Sequence, residues 1–199
     1  MSWSCIIRNM KYKIGVFGSA AADQPAVAVE AATEIGRVLG EYAHKVIIIT
    51  GGSGGLPYFA AAEAAKAGTE IWGFSPVSNK AEQQDFAPSS NMDIYTKLQF
   101  TPEDTPFRNA LQARMKYRNV LSTFNCDAGI IISGQWGSLN EFTNLIDMGK
   151  TVGVLTGTGG IADELPALTQ KISKPNQGKV IFDSDPKTLV EKLLASLES

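Results

Sequence analysis

The sequence predicts an α/β fold built on a doubly wound, mainly parallel sheet of six to seven strands, with helices on both faces. Short apolar runs of strand length alternate with segments of helical periodicity along the chain. These runs are apolar throughout rather than alternating, so they suit strands that are covered on both faces. The predicted strands are 14–17, 46–49, 71–74, 129–132, 152–155 and 180–182.

The helices are predicted from apolar stripes between these runs. The first stripe begins at Val27 and ends at Tyr42, with Pro25 in the first turn after Asp23 or Gln24. Further helices are predicted at 60–67, stopped by Gly68, at 107–124 and at 186–197.

Length and composition indicate one globular domain. The chain has 199 residues, of which 44% are hydrophobic and 19% charged. We predict a single domain over residues 1–199, beginning with an N-terminal extension at residues 1–10. Residues 78–93 are polar and without a period, so we expect a loop or lid there.

Charge and cysteine content restrict the partners. A net charge of −2 gives no basic surface for nucleic acid or a membrane, and no apolar run reaches the length of a membrane span. Cys5 and Cys126 have no metal-like spacing, and Cys126 is expected to be a buried free thiol. We therefore expect a cytoplasmic protein without metal or cofactor, and with neither a nucleic-acid nor a membrane partner.

Three glycine clusters follow predicted strands rather than helices. In a parallel sheet all three would lie at the carboxyl edge, where open α/β folds bind ligands. Glycine lets the backbone approach a ligand, and the N–H groups that open the following helix favour a phosphate. Tight turns alone would explain one cluster, but three at one edge favour phosphate binding. The predicted phosphate- and nucleotide-binding residues are Gly18, Ser19, Gly51, Gly52, Ser53, Gly54, Gly55, Ser133, Gly134, Gln135, Trp136, Gly137 and Ser138.

These loops differ from the common nucleotide-binding fingerprints. The loop at 52–57 breaks the dinucleotide pattern at its last glycine, and no acidic residue ends the strand at Phe74. No Gly-Lys-Ser/Thr follows a glycine loop, so a classical NAD enzyme or P-loop ATPase is disfavoured. Trp136 is too large for a tight turn and is expected to cover a bound base or pterin ring by stacking.

Glu141 and Arg118 each have two interpretations. Residues 138–141 have the form of a capping box, with Ser138 as N-cap and Glu141 reaching back. Alternatively, Glu141 projects at the mouth of the glycine loop, beside rather than within the buried stripe of its helix. Arg118 shares a predicted apolar face with Leu111 and Met115, or is a surface guanidinium lying over its own stem.

Two motifs resemble the Lonely Guy (LOG) family. Its glycine-rich first motif is similar to Thr50-Gly51-Gly52-Ser53-Gly54-Gly55-Leu56. Its second motif, Arg-Lys followed by Pro-Gly-Gly-x-Gly-Thr-x-x-Glu, is similar to Arg118-Asn119 followed by Gly134-Gln135-Trp136-Gly137-Ser138-Leu139-Asn140-Glu141. The resemblance covers about residues 13–155. It implies a Rossmann-like fold, commonly dimeric, in a superfamily often labelled lysine decarboxylase-like.

The resemblance also implies site residues. Arg118 and Glu141 match the family's catalytic arginine and glutamate, and Gly134, Gly137 and Ser138 match its phosphate loop. The departures are Asn119 for lysine, Ser133 for proline, Gln135 for glycine and the bulky Trp136 at the variable position, with Pro57 and Tyr58 departing in the first motif. They fit a side branch near the molybdenum cofactor carrier proteins.

The implied activity is hydrolysis of the N-glycosidic bond of a nucleoside 5′-monophosphate. A carboxylate can stabilise an oxocarbenium-like ribose and orient water, while a guanidinium holds a phosphate or the departing base. We therefore expect a homodimeric, phosphoribohydrolase-like enzyme and not a pyridoxal-phosphate lysine decarboxylase. The alternatives are a non-catalytic carrier or sensor of a nucleotide or molybdenum cofactor, and a purely structural or partner-binding domain.

Overall fold

A seven-stranded parallel sheet forms the centre of the computed structural model, which describes residues 10–21, 23–172 and 178–198. The strands are β1 (Tyr12–Gly18), β2 (Val46–Thr50), β3 (Glu70–Ser75), β4 (Lys97–Phe100), β5 (Ala128–Ile132), β6 (Thr151–Leu155) and β7 (Val180–Asp183). Their order is β4-β3-β2-β1-β5-β6-β7, and every neighbouring pair is parallel. The predicted fold class and strand number are confirmed.

Helices cover both faces of this sheet. They are α1 (Ala26–Glu41), α2 (Leu56–Lys66), α3 (Lys80–Phe86), α4 (Leu111–Asn125), α5 (Trp136–Asp147), α6 (Ile161–Lys171) and α7 (Pro186–Ala195). One apolar cluster joins the sheet to α1, α2 and α7, with Ile14 and Ile48 at its centre. A second cluster lies on the other face with α5 and α6 and contains Phe17 and Ile49. Consecutive strand residues thus pack into apolar clusters on opposite faces of the sheet, as expected of a sheet covered on both sides.

The buried stripe of α1 agrees with the prediction at Ile35 and Leu39, which are fully buried, but differs in its first turns. Val27 is 58% exposed, whereas Ala28 and Ala32 are fully buried. The reason is that α1 packs closely against α2. A Cβ on Gly36 would lie 2.2 Å from the Ala60 carbonyl oxygen, so only small residues fit where the two helices meet. Pro25 is itself the N-cap, and no side chain caps the helix.

The prediction of a loop at residues 78–93 is wrong in its secondary structure. Asn79 caps α3 by accepting a hydrogen bond from the Glu82 amide at 3.0 Å, and Glu82 accepts one from the Ser78 amide at 3.1 Å. The segment has no apolar stripe because the residue that α3 buries is the polar Gln83. A 3₁₀ turn follows at Met92–Ile94.

Two further predictions differ at their boundaries or lie outside the described part. The helix predicted from residue 107 begins at Leu111, because residues 106–109 form turns and Ala110 is the N-cap. Cys126 is a buried free thiol, as predicted, and burial raises its pKa. The N-terminal extension, except Met10, and Cys5 lie outside the described residues. None of the helices in the described ranges combines the length and the hydrophobicity that a membrane span requires.

The strand order places the three predicted glycine clusters side by side. They follow β1, β2 and β5, and β1 lies between the other two. The chain changes direction across the sheet between β1 and β5, which makes this carboxyl edge a topological switch point, where open α/β sheets bind ligands.

Candidate functional site

A cavity of about 350 Å³ lies at this carboxyl edge. Five segments form its wall: the end of β1 with the residues after it, the loop after β2, the start of α2, one face of α4 and the first half of α5. Its lining residues are Phe17, Gly18, Ser19, Ala20, Ala21, Gly51, Ser53, Pro57, Gln112, Met115, Lys116, Arg118, Asn119, Gln135, Gly137, Ser138 and Glu141. The volume is in the range of small-molecule sites.

Arg118 and Glu141 form a buried ion pair in this wall. Arg118 Nη1 lies 3.9 Å from Glu141 Oε1, and each residue is 6% exposed. Burial raises the pKa of Glu141 to about 7, although the charge of Arg118 lowers it. Burial also lowers the pKa of Arg118, against the opposing effect of Glu141. A carboxyl group that titrates near neutrality is suited to accept and release a proton.

The capping-box interpretation of Glu141 is wrong. Helix α5 already begins at Trp136, its N-cap is Gln135, and no side chain caps it. Ser138 is therefore the third helical residue. Ser138, Glu141 and Leu145 share the buried face of α5, so Glu141 lies within that face and not beside it. The earlier start follows from Ser133 and Gly134, whose φ values of 52° and 95° turn the chain directly into the helix.

Arg118 is held in a polar rather than an apolar face. The buried residues of α4 are Arg118, Asn119, Ser122 and Thr123, whereas Met115 is exposed. Both predicted settings for Arg118, an apolar face and a solvated surface position, are therefore wrong. The guanidinium instead lies against Gly51, where an added Cβ would be 1.4 Å from Nη1. The first glycine loop is thus shaped around the arginine.

Asn119, at the position of the family's lysine, holds Glu141. With its side-chain amide nitrogen turned towards acceptors, Asn119 donates to the Met115 carbonyl oxygen at 3.0 Å and to Glu141 Oε1 at 3.2 Å. Asn119 is buried, so these bonds fix the carboxyl group from the α4 side. Relative to the resembled family, asparagine in place of lysine thus replaces a positive charge with an amide that positions the Glu141 carboxyl group.

The predicted binding residues after β5 have two different roles. Ser133 and Gly134 shape the turn: the Ser133 amide donates to Thr158 Oγ1 at 2.9 Å, and Gly134 O accepts from the Ile161 amide at 2.8 Å. Gln135, Gly137 and Ser138 line the cavity. Trp136 stands at the first position of α5, 80% exposed, and the structure does not bring it to the cavity wall.

The predicted binding residues in the loop after β2 have the same two roles. Gly51 and Ser53 line the cavity, whereas Gly52, Gly54 and Gly55 shape the loop behind them. Gly52 O accepts a hydrogen bond from Gln83 Nε2 at 2.7 Å, which ties the loop to α3. At Gly55, with φ of 76°, an added Cβ would lie 2.3 Å from Ser19 O. Gly18 and Ser19, both predicted, line the cavity beside it.

The α4 wall of the cavity was not predicted from the sequence. Gln112, Met115, Lys116 and Asn119 line the cavity at helical spacing, and this spacing around Arg118 was the available signal. Among the residues that the structure describes, no group of three or more His, Cys, Asp or Glu side chains could hold a metal ion.

Burial of Glu141 predicts a pH-dependent stability. The folded protein keeps a proton on Glu141 up to about pH 7, whereas the unfolded chain releases it near pH 4.5. The free energy of unfolding should therefore fall as the pH rises through this window, and Glu141→Gln should remove the fall. Between pH 4.5 and pH 7, the free energy of unfolding of the variant should rise relative to that of the wild type by on the order of 2 kcal/mol, as measured by urea unfolding at each pH. Parallel pH profiles for both proteins would contradict a raised Glu141 pKa.

Solved structures of known proteins share this fold. TM1055 is 19% identical over 94% of this chain and 99% of its own, with a TM-score of 0.70. The molybdenum cofactor binding protein of Rippkaea orientalis is 19% identical over 96% of this chain and 99% of its own, with a TM-score of 0.67. DNA processing protein A of Helicobacter pylori, described with a single-stranded DNA binding mode, is 17% identical over 93% of this chain and 81% of its own, with a TM-score of 0.60.

Sequence comparison defines the family. A search of curated proteins gave no match. The SLOG cluster4 family profile matches residues 11–190 and so spans the whole sheet and every wall of the cavity. The predicted LOG-like relationship is confirmed at this level, and the chain belongs to the SLOG cluster4 family.

Proposed function

We propose that the chain binds a nucleoside 5′-monophosphate in the cavity at the β1, β2 and β5 edge and hydrolyses its N-glycosidic bond. The observation that carries the proposal is the buried Arg118–Glu141 pair, which lines the cavity together with the start of α5. A buried, partly protonated carboxyl group in a cleft marks a reaction site more often than a surface ion pair does.

The start of α5 supports a phosphate site. Gln135, Gly137 and Ser138 line the cavity where the first amides of the helix have no helical acceptor. The helix dipole adds about half a positive charge at this end, which favours an anion. A net charge of −2 offers no wider attraction for a polyanion, which supports a small phosphorylated ligand over nucleic acid.

The pair supports glycosidic cleavage by its charges. In the proposed reaction the C1′–N bond breaks, the hydroxyl of water bonds to C1′, and a proton goes to the departing base. The Glu141 carboxylate stabilises the positive ribose and orients the water, and a raised pKa suits it to exchange the proton. Arg118, which contacts Gly51 and Glu141, orients the carboxylate and offers its guanidinium to the base or the phosphate.

The test is release of ribose 5-phosphate. The protein is incubated with adenosine, guanosine, cytidine and uridine 5′-monophosphates and with the four nucleosides, and ribose 5-phosphate or ribose is measured. We expect at least one monophosphate to be cleaved and its nucleoside to be a much poorer substrate. Binding without release from any monophosphate would reject the hydrolase.

A non-catalytic carrier of a nucleotide or molybdenum cofactor is the second candidate. It is favoured by Asn119 and Gln135, where the resembled family has lysine and glycine, because both departures line the cavity. One structure that shares the fold belongs to a molybdenum cofactor binding protein. The incubation separates the two functions, since a carrier binds its ligand without cleaving it.

The proposal includes a homodimer. Besides the family resemblance, it is supported by the outer face of α4, where Val120 and Phe124 are exposed although α4 also walls the cavity. A second copy that covered these side chains would bury apolar surface next to the site.

A further inference from the structure

Lys116 differs from the other charged groups of the cavity. It lies on the face of α4 that walls the cavity, two residues before Arg118. Its side chain is exposed, and within the described part of the chain no ion pair or hydrogen bond is formed by its ammonium group. The charge of Lys116 acts on Glu141 through space and lowers its pKa, as that of Arg118 does. The cavity wall thus contains one exposed cation whose ammonium group has no bonded partner among the described residues and can meet a ligand.

The charge balance of the cavity shows why this cation matters. The charged lining residues are Arg118, Glu141 and Lys116. Arg118 is buried and paired with Glu141 at 3.9 Å, so its charge is offset to the extent that Glu141 is ionised. Asn119 is neutral and bonded to Glu141. Besides the buried Arg118, a dianionic phosphate entering the cavity therefore meets two positive features that are not held in an ion pair: the partial charge at the start of α5 and Lys116.

We propose that Lys116 binds the phosphate of the ligand and gives the site its preference for nucleoside monophosphates over nucleosides. The inference rests on the proposed ligand class and not on turnover. Lys116 lies three residues before Asn119, which is about one helical turn, so the cation missing at position 119 is supplied from the neighbouring turn of the same face. Lysine acts on phosphate as a mobile point charge, so it needs no fixed bidentate geometry.

The experiment compares binding of monophosphates and nucleosides. The wild type, Lys116→Gln and Lys116→Arg are titrated by calorimetry with the four monophosphates and four nucleosides named above. Lys187→Gln is the matched control, because this exposed lysine lies on α7, which packs on the opposite face of the sheet. We expect Lys116→Gln to weaken monophosphate binding about tenfold or more, which corresponds to about 1.4 kcal/mol, and to change nucleoside binding less than about twofold.

The other outcomes support or overturn the assignment of Lys116 as follows. Recovery of monophosphate affinity in Lys116→Arg, and a weaker dependence on salt in Lys116→Gln, would support a charge contact. Equal losses for monophosphates and nucleosides, or no loss in Lys116→Gln, would overturn the assignment. A wild type that binds monophosphates without releasing ribose 5-phosphate rejects the hydrolase but leaves the Lys116 contact measurable, whereas a wild type that binds none of the eight compounds rejects the ligand class together with this inference.

Discussion

Glu141→Gln is expected to lower the rate at which ribose 5-phosphate is released by about 100-fold or more, while nucleotide affinity changes little. The amide has almost the shape of the carboxyl group, so the packing of the buried face of α5 is preserved. It cannot carry the negative charge that stabilises an oxocarbenium-like ribose, nor exchange the proton near neutral pH. The measurement is single-turnover release of ribose 5-phosphate, with calorimetry for affinity.

The matched control is Glu30→Gln, at an exposed position on α1. It removes the same charge from the molecule without touching the cavity and should leave release unchanged. Equal activity of Glu141→Gln and the wild type would remove Glu141 from the reaction. The pair with Arg118 would then be only a structural contact, whose loss shows in unfolding experiments.

The sheet could be predicted from the sequence because its strands are buried on both faces. Runs such as 46–49 and 129–132 are apolar without interruption, and each ends in a glycine loop, so strand identity and binding edge are visible together. Strand β4 is different. It is four residues long, lies at the edge of the sheet and contains Lys97 and Gln99, so its sequence has no continuous apolar run.

Where a helix buries polar residues, hydrophobic periodicity misses the helix or predicts the wrong buried face. Helix α3 buries Gln83, which bonds to Gly52 O and accepts a hydrogen bond from the Ser75 hydroxyl. Helix α4 buries Arg118 and its polar neighbours and leaves Phe124 exposed, which reverses the usual pattern. Helix α6 contains Pro166, a residue that normally indicates a helix end.

The site was predicted best where a motif fixed both residue type and spacing. Arg118 and Glu141 lie on different helices, and only the resemblance paired them before the structure placed them 3.9 Å apart. The glycines were predicted as a set, but only some line the cavity, because glycine serves a ligand and a tight turn equally well in a sequence. Lys116 belongs to no motif and became visible only when the orientation of α4 was known.

Gly51→Ala is expected to reduce release of ribose 5-phosphate about as strongly as removal of the Arg118 guanidinium. The added Cβ would lie 1.4 Å from Arg118 Nη1 and 2.6 Å from Cζ, so the guanidinium must leave its place. Gly51 does not have a positive φ, so the backbone accepts alanine. The effect of the substitution therefore comes from the clash with Arg118. Because the displaced atom is the tip of a flexible side chain, the cost to stability should be only about 1–3 kcal/mol.

The functional cost of Gly51→Ala is larger because the displaced guanidinium is the partner of a buried carboxylate. Without it Glu141 loses its opposing charge, its pKa should rise further, and less of it is ionised at neutral pH. Gly54→Ala is the control in the same loop, since its Cβ would meet only Ser90 Oγ at an ordinary 3.6 Å. In a double-mutant cycle, Gly51→Ala should add almost nothing to the loss caused by Arg118→Gln. Independent, additive losses in the two variants would show that Gly51 acts on the ligand directly and not through Arg118.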